Sequence, residues 1–419
     1  MGSTLFALTL SACGTVSSSN DSSEQPLTSD SSSEPIVTSE ETTSEPTSIS
    51  EGGDVELDLF ALNDLHGSIE FNEDDQSEWG MYKIGSYLRE KEALNPGGTI
   101  NMDAGDMWQG SADSNITRGK VLIEMLNSLN WAATSLGNHE FDWYDEVIEE
   151  NREHANYPFL GANIIDNSTN QLATNLVDGG STLIERNGVK VGIIGTIGSR
   201  LESSILASAI APYSLEPTTD YIIGESLKLE QQGAELIILL THDSLTSYSS
   251  GGEYGPVIEP SGREPYVDVV FTGHEHAFDR QMVNGVPILQ TNGNGKQLMH
   301  VNLTVSSEGV TINEYTHISD ELANYPNDPQ IEAAYDIYAN EISIVKDEVV
   351  GELTAYAGKS QLVKLANRSM LEEAQKTFDA DVAIHNFGGV RVDEIASGTV
   401  TYGDIYKAFP FDNTVVVVE

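Results

Sequence analysis

Residues 135–142 of the 419-residue chain have the sequence SLGNHEFD. The stretch combines an amide, an imidazole and two carboxylates, which belong to Asn138, His139, Glu140 and Asp142. One interpretation is structural, because Asn is a good helix N-cap and acidic side chains favour the first turn of a helix. The other is chemical, because the same groups bind metal ions and transfer protons. The neighbouring segments of the chain distinguish the two interpretations.

Short apolar segments alternate with amphipathic segments on both sides of this stretch. The alternation predicts an α/β domain, because strands that alternate with helices build a mainly parallel sheet. Strands are predicted at 55–64, 99–106, 190–198, 235–243, 267–276 and 286–292, and helices at 81–94, 119–129 and 218–233.

Polar side chains follow the predicted strands, at the position where α/β proteins place their sites. Most of these motifs alone are more often a turn, a helix cap or a core histidine than a site, whereas His274 and His276 share one extended face and would chelate a metal ion well. Together they offer carboxylate, amide and imidazole ligands, which suit divalent ions such as Zn²⁺, Mn²⁺ or Fe²⁺. The candidate ligands are Asp64, His66, Asp106, Asn138, His242, His274 and His276.

Five motifs occur in the order DLHG, GDMWQGS, SLGNHEFD, LTHD and GHEHAF. In this order they resemble the motifs of the calcineurin-like metallophosphoesterases. SLGNHEFD followed by FLGANI resembles the 5'-nucleotidase branch, which includes UDP-sugar hydrolases and cyclic-nucleotide phosphodiesterases. The resemblance implies an α/β protein with a four-layer α/β/β/α metallophosphoesterase domain and a partial α+β C-terminal domain for substrate specificity.

The resemblance also implies two divalent metal ions and a role for each motif residue. A hydroxide that bridges the ions would attack phosphorus in line with the leaving group. His139 and Asp142 are implied as the catalytic dyad, with Asp142 fixing the tautomer of the imidazole. The implied ligands are Asp64, His66 and His276 for one ion, Asn138, His242 and His274 for the other, and Asp106 as the bridge.

Two C-terminal motifs resemble the substrate-binding segments of the same family. HNFGGVR at 385–391 implies Asn386 and Arg391 as substrate contacts, and AFPF at 408–411 implies Phe411 as the aromatic that stacks on the base. The alternative is that these residues only pack the domain or cover its surface. The sequence ends in an apolar run at Glu419, and we expect the rest of this domain to lie beyond it.

The N-terminal segment predicts attachment to a membrane. LFALTLSACG resembles a bacterial lipobox, in which Cys13 is acylated, although Met1–Thr4 contains no Lys or Arg. The following Ser/Thr/Glu-rich stretch is too polar to fold and predicts a disordered stalk. We therefore expect a lipid-anchored protein on the extracellular face of a bacterial membrane. The predicted divisions are signal peptide 1–13, stalk 14–54, metallophosphoesterase domain 55–325, linker helix 326–349 and partial C-terminal domain 350–419.

The net charge of −46 narrows the range of partners. Binding to a nucleic acid requires a basic face, so we expect no nucleic-acid partner. An anionic substrate requires local positive charge, which bound metal ions supply. The function predicted is removal of phosphate from nucleotides by a 5'-nucleotidase-like hydrolase. A UDP-sugar hydrolase, a 2',3'-cyclic-nucleotide phosphodiesterase and a non-catalytic surface lipoprotein on this scaffold remain the alternatives.

Overall fold

A computed structural model describes residues 53–72, 75–248 and 254–410. Cys13, most of the predicted stalk and Phe411 lie outside these residues, so the predictions for them are not addressed by the fold. The strands that were predicted from the sequence are present, at 55–62, 99–103, 189–197, 236–242, 269–272 and 286–290. The three predicted helices are also confirmed, at 80–94, 120–127 and 218–231.

The elements follow one another along the chain with short connections. The strands are β1 (Val55–Leu62), β2 (Thr99–Asp103), β3 (Trp131–Ser135), β4 (Phe159–Leu160), β5 (Ile164–Asp166), β6 (Gln171–Leu172), β7 (Ser181–Arg186), β8 (Val189–Ile197), β9 (Tyr213–Leu215), β10 (Leu236–His242), β11 (Val269–Thr272), β12 (Asp279–Val283), β13 (Val286–Gln290), β14 (Leu298–Ser306), β15 (Gly309–Ile318), β16 (Val349–Leu353), β17 (Ala357–Gly358), β18 (Glu394–Ile395) and β19 (Gly398–Thr401). The α-helices are α1 (Gly80–Leu94), α2 (Ala112–Ile116), α3 (Lys120–Asn127), α4 (Tyr144–His154), α5 (Ala207–Ile210), α6 (Thr218–Gln231), α7 (Gly255–Ile258), α8 (Pro329–Asp336), α9 (Ala339–Lys346), α10 (Lys359–Ala374) and α11 (Tyr402–Ala408).

Two six-stranded sheets form the larger part of the described structure. The first has the order β15-β14-β1-β2-β3-β4, and the second has the order β12-β13-β11-β10-β8-β7. In the first sheet β1 to β4 run parallel, and in the second β8, β10, β11 and β13 run parallel. The parallel strands of each sheet therefore end at a common edge, which is where the predicted ligands begin.

Three apolar cores separate four layers of secondary structure. On β1, Leu57 and Leu59 belong to the core between the two sheets, whereas Phe60 belongs to the core under α1 and α3. This alternation is the two-residue period of a strand that is buried on both faces. Ile194 of the second sheet and Ile222 of α6 lie in a third core, between that sheet and the helices α6 and α7. The predicted α/β/β/α arrangement is therefore confirmed.

The segment predicted as a single linker helix at 326–349 is instead two helices, α8 and α9. Asp328 caps α8 by accepting hydrogen bonds from the backbone N–H groups of Gln330 and Ile331. Ile331 is fully buried against α1, where a Cβ on Gly85 would lie 2.6 Å from its Cγ1 atom. The segment therefore packs into the core of the preceding domain, because burial of Ile331 requires close approach of the two helices.

The residues after α9 form a smaller unit of two short antiparallel ladders and two helices. β16 pairs with β19, and β17 pairs with β18, while α10 and α11 lie outside these ladders. Lys346 of α9 forms an ion pair with Asp113 of α2 at 2.8 Å, which joins this end of the chain to the first domain. None of the helices in the described ranges combines the length and the apolar composition of a membrane-spanning segment.

Candidate metal centre

The structure brings the seven predicted ligands to the common edge of the two sheets. Asp64, Asp106 and Asn138 follow β1, β2 and β3 of the first sheet. His242 ends β10 and His274 follows β11 in the second sheet. Six of the seven form two groups, within each of which the ligand atoms lie inside 4.8 Å of one another. These groups are Asp64, His66 and His276, and Asp106, His242 and His274.

The first group surrounds the Asp64 carboxylate, which is fully buried. Its Oδ1 atom lies 3.2 Å from Nε2 of His276 and 4.0 Å from Nε2 of His66. The two imidazole Nε2 atoms are 3.1 Å apart. Two ligands that bind one Zn²⁺ at 2.0–2.1 Å in tetrahedral geometry lie about 3.3 Å apart, so these atoms have the spacing of neighbouring metal ligands.

The second group surrounds Asp106, whose Oδ2 atom lies 3.0 Å from Nε2 of His242. This Nε2 atom is buried and has no aligned hydrogen-bond partner among the described residues. Asn138 Oδ1 lies 2.9 Å from Nδ1 of His274, which adds the predicted amide ligand to the same group. The donor set and spacing of both groups fit divalent metal ions.

The other ring nitrogens of two of these imidazoles are held by backbone carbonyls. Nδ1 of His242 lies 2.8 Å from the carbonyl oxygen of Ala104, and Nδ1 of His66 lies 2.8 Å from that of Gln109. A carbonyl fixes the proton on Nδ1, which leaves the Nε2 lone pair for a metal ion. Burial lowers the pKa of His66 to about 4, so this imidazole is neutral and ready to bind.

The backbone at this edge adopts a strained conformation. Asp64, His66, Asp106, His274 and His276 have φ angles of 50°, 49°, 55°, 77° and 50°, respectively. Residues other than Gly rarely adopt positive φ, and such residues cluster at functional sites because the surrounding structure must hold them there. This backbone conformation directs the five side chains from the strand ends toward the two ligand groups.

Glu140 is a supporting residue to which the sequence analysis assigned no role. Its carboxylate is buried and accepts hydrogen bonds from the backbone N–H groups of Asp106, Met107 and Gly137, at 2.7–2.9 Å. It therefore fixes the loop after β2 against the loop after β3. Gly137 is required for space, because a Cβ there would lie 2.2 Å from Oδ1 of Asp106. The sequence signal for this role is that Glu140 lies within SLGNHEFD, among the candidate functional residues.

Asn63 supports the other carboxylate. Its Nδ2 atom donates to Oδ2 of Asp64 at 2.5 Å, and its Oδ1 accepts from the backbone N–H and the hydroxyl of Thr291. The orientation of the Asp64 carboxylate is thus fixed by the residue that directly follows β1 and by the segment after β13. No local pattern indicates this role, because the contact joins residues 228 positions apart.

His139 and Asp142 lie together in a short 3₁₀ helix at His139–Trp143. Nδ1 of His139 is 2.8 Å from Oδ2 of Asp142, and the His139 backbone N–H donates to Oδ1 of Asp106. Burial lowers the pKa of the imidazole, but the charges of Asp106 and Asp142 outweigh that effect and raise the pKa to about 9. In the absence of metal ions these two carboxylates therefore favour the cationic form of the ring.

The geometry distinguishes the two interpretations of SLGNHEFD. Asn138 precedes the 3₁₀ helix but makes no capping hydrogen bond with its side chain. Its amide oxygen instead faces His274. The Asn138 side chain therefore faces the second ligand group and does not cap the 3₁₀ helix.

Two of the predicted substrate contacts, Asn386 and Arg391, belong to neither ligand group. Asn386 and Arg391 flank the turn Phe387–Gly389, and both side chains are exposed. The C-terminal unit nevertheless reaches the centre through another residue, because Nε2 of Gln109 donates to the carbonyl oxygen of Pro410 at 2.5 Å. Phe411 lies outside the described residues.

Comparisons with known proteins agree with this geometry. The sequence pattern of the family described as "Calcineurin-like phosphoesterase" matches residues 58–278, and that of "5'-nucleotidase, C-terminal domain" matches residues 343–419. Among solved structures, a 5'-nucleotidase precursor from Thermus thermophilus is 21% identical in sequence, with a TM-score of 0.67, over 85% of this chain and 74% of that one.

Two bacterial relatives are similar in sequence over most of this chain. Cell wall protein Lmo0130 of Listeria monocytogenes is 24% identical over 87% of this chain and 54% of its own length. Endonuclease YhcR of Bacillus subtilis is 26% identical over 87% of this chain and 32% of its own length. The chain therefore spans only about half of one relative and a third of the other.

Replacing Glu140 with Gln is expected to loosen the centre without altering a ligand. The amide NH₂ group cannot accept a hydrogen bond, so one or two of the three backbone N–H groups would lose their partner. Residues that orient ligands typically contribute 10- to 100-fold to metal affinity, and we expect a loss of that size. Metal titration of the metal-free protein measures it. Glu149→Gln, at an exposed position of α4, is the control, and equal affinities in both variants would contradict the role of Glu140.

Proposed function

Because the chain belongs to the calcineurin-like phosphoesterase family, we propose that it is a phosphohydrolase that uses two divalent metal ions to remove phosphate from nucleotides. One observation carries the proposal: two groups of carboxylate and imidazole ligands lie at one sheet edge, with the His139–Asp142 pair beside them. Asp106 links the second group to this pair, since its oxygens contact both His242 and the backbone of His139. A binding protein without catalysis has no need of such an arrangement.

The residues of the first group would hold one ion and those of the second group, with Asn138, the other. Asp106 lies in the second group and is the carboxylate that we assign as the bridge. Divalent ions bound there would neutralise charge on the phosphoryl oxygens and make water a stronger nucleophile at neutral pH. The chain itself keeps the ligands fixed, through the contacts of Glu140 and Asn63, so that no reorganisation is needed during the reaction.

His139 would act on the substrate rather than on a metal ion. Asp142 orients the ring through Nδ1, and we assign the imidazole to the phosphate or the leaving group. A cationic imidazole donates a hydrogen bond to a phosphoryl oxygen and can pass a proton to the departing oxygen. The dyad would therefore add a positive charge and a proton to the charge that the metal ions supply.

A nucleotide is the substrate that the C-terminal unit favours. Its sequence matches the 5'-nucleotidase C-terminal domain, and Asn386, Arg391 and Phe411 are the contacts that we propose for the substrate. The net charge of −46 disfavours a polynucleotide, although one relative is named an endonuclease. A panel of AMP, a UDP-sugar, a 2',3'-cyclic nucleotide and single-stranded DNA distinguishes these substrates.

We also propose that the protein is held on the outer face of a bacterial membrane through a lipid on Cys13. The support is the LSAC sequence and the polar stretch that follows it. A relative is named a cell wall protein, which is compatible with a location outside the cell.

Removal of metal ions is expected to abolish hydrolysis of AMP, and added Mn²⁺ or Zn²⁺ to restore it. Asp106→Asn should lower both metal content and kcat/KM, by more than the 10- to 100-fold typical of residues that only support a ligand. Asp220→Asn, at an exposed position of α6, is the matched control. Full activity in protein shown by elemental analysis to be free of metal would rule out the proposal.

His139→Ala is expected to lower kcat by about 100-fold or more, the usual scale for a group that transfers a proton or stabilises charge. The metal content should stay at the wild-type value, because the imidazole is assigned to the substrate. Steady-state kinetics and elemental analysis on the same preparation measure both. His154→Ala alters a surface imidazole and serves as control. Loss of metal from His139→Ala would show that the residue is a ligand instead.

Cys13→Ser is expected to release the protein from membranes. A lipid chain requires the thiol, whereas the rest of the signal sequence is unchanged by this substitution. Fractionation of bacteria that express the wild type or the variant, both with a complete signal sequence, measures the membrane-bound share. The same distribution for both proteins would remove Cys13 as the anchor.

A further inference from the structure

Gln109 lies between a candidate metal ligand and the C-terminal unit. The residue is only 2% exposed. Its backbone carbonyl oxygen lies 2.8 Å from Nδ1 of His66, and its side-chain Nε2 donates to the carbonyl oxygen of Pro410 at 2.5 Å. Gln109 therefore contacts His66 through its backbone and Pro410 through its side chain.

A second amide holds the same carbonyl group. Nδ2 of Asn115 lies 3.3 Å from the Pro410 carbonyl oxygen and 3.0 Å from the hydroxyl of Tyr406. Oδ1 of Asn115 accepts from the backbone N–H of Gly110 at 2.8 Å. Because a carbonyl oxygen only accepts, the nitrogen of each amide must face Pro410, and the orientation of both side chains is fixed.

The backbone next to Gln109 follows His66 closely. The N–H of Ser111 donates to the carbonyl oxygen of His66 at 3.1 Å. Gly110 has a φ of 154°, and a Cβ there would lie 2.2 Å from the same oxygen. The two chain segments thus touch at the backbone, so a shift of His66 is transmitted to Gln109.

The contact between His66 and Gln109 ties a candidate metal ligand to this segment through two carbonyl oxygens. Nδ1 of His66 lies 2.8 Å from the carbonyl oxygen of Gln109, and the carbonyl oxygen of His66 accepts from the N–H of Ser111. A metal ion bound to Nε2 of His66 would hold the imidazole in one position. Metal binding would therefore fix the Gln109 backbone from which the side chain reaches Pro410.

We propose that Gln109 is a positioning residue that couples metal binding at His66 to the seating of residues 402–410 on the first domain. The inference rests on the proposed function and deepens it, because Pro410 directly precedes Phe411, the candidate base-stacking residue. Metal loading would thus stabilise the segment that leads into the substrate site. Coupling of two sites is reciprocal, so seating of the segment would in turn strengthen metal binding.

Hydrogen exchange measured by mass spectrometry tests the coupling without relying on activity. Addition of Mn²⁺ to metal-free wild-type protein should slow exchange of the amides in α11 by about 3- to 10-fold, the scale of one hydrogen bond. In Gln109→Met this slowing should be absent, because the contact with Pro410 is lost. Gln109→Glu should behave in the same way, since it keeps the shape but places an oxygen against the Pro410 carbonyl.

Lys120→Met is the control, because it removes an ion pair with Glu150 within the first domain and leaves the contacts of Gln109 with His66 and Pro410 in place. The Mn²⁺-induced slowing should persist in this variant. Equal slowing in wild type and Gln109→Met would overturn the proposal, as would its loss in Lys120→Met.

Kinetics provide a second readout. Gln109→Met should raise KM for AMP by about 3- to 10-fold and leave KM for glycerol phosphate, which has no base, nearly unchanged. If the ratio of KM for AMP to KM for glycerol phosphate is the same in Gln109→Met and in the wild type, the proposed coupling through Gln109 is contradicted. The proposed function is not affected by that result. A wild-type protein that binds Mn²⁺ but hydrolyses neither ester would instead overturn the proposed function, whereas the exchange experiment would still decide the role of Gln109.

Discussion

Two buried carboxylates at one sheet edge constrain the rest of the structure. Asp64 and Asp106 are both almost inaccessible to solvent, and the charge of Asp106 opposes ionisation of Asp64. Buried charges of the same sign are tolerated only when cations offset them. The charges that lower the pKa of each group come from imidazoles, which are weak compensation unless they are protonated. Bound metal ions would offset the two buried charges without protonated imidazoles, because they bind neutral imidazoles and bring positive charge to the carboxylates. The positive-φ backbone holds this pair of carboxylates in place. The hydrogen bonds that Glu140 accepts from three backbone N–H groups, and the hydrogen bond that Asn63 donates to Asp64, do the same.

The sequence predicted the parts of the fold that depend on local pattern. Apolar runs of strand length and amphipathic runs of helix length lie where the structure has them, and the motif residues all follow strands. The order of the strands in the sheets depends on contacts between distant segments, which the pattern does not contain. β3 is short and buried throughout, so its residues do not alternate between buried and exposed positions. β14 does alternate between buried and half-buried positions, and its sequence therefore contained a strand pattern. The helix expected at 326–349 is two helices, and each places one isoleucine, Ile331 or Ile342, in the same core.

The supporting residues of the centre were less predictable than its ligands. A ligand must be Asp, Asn or His, so its type is informative even without a structure. Glu140 and Gln109 act through contacts with backbone groups on other loops, and no residue type or spacing specifies such a contact. The substrate half is intermediate: the family resemblance indicates Asn386 and Arg391, and the structure puts both on an exposed turn of the C-terminal unit. The C-terminal unit meets the centre at the loop between β2 and α2, where Gln109 binds the carbonyl oxygen of Pro410.

The centre is assembled from opposite ends of a long domain, and this has a consequence for when it can form. The His274 backbone N–H donates to Asp64, a residue 210 positions earlier in the chain. A ribosome must therefore complete nearly the whole domain before the first carboxylate meets its partners. Contacts of such long sequence separation form late in folding, because the intervening chain must be ordered first. The compartment in which the last strands dock, rather than the one in which the chain is made, thus determines which metal ions are present at the moment the site closes.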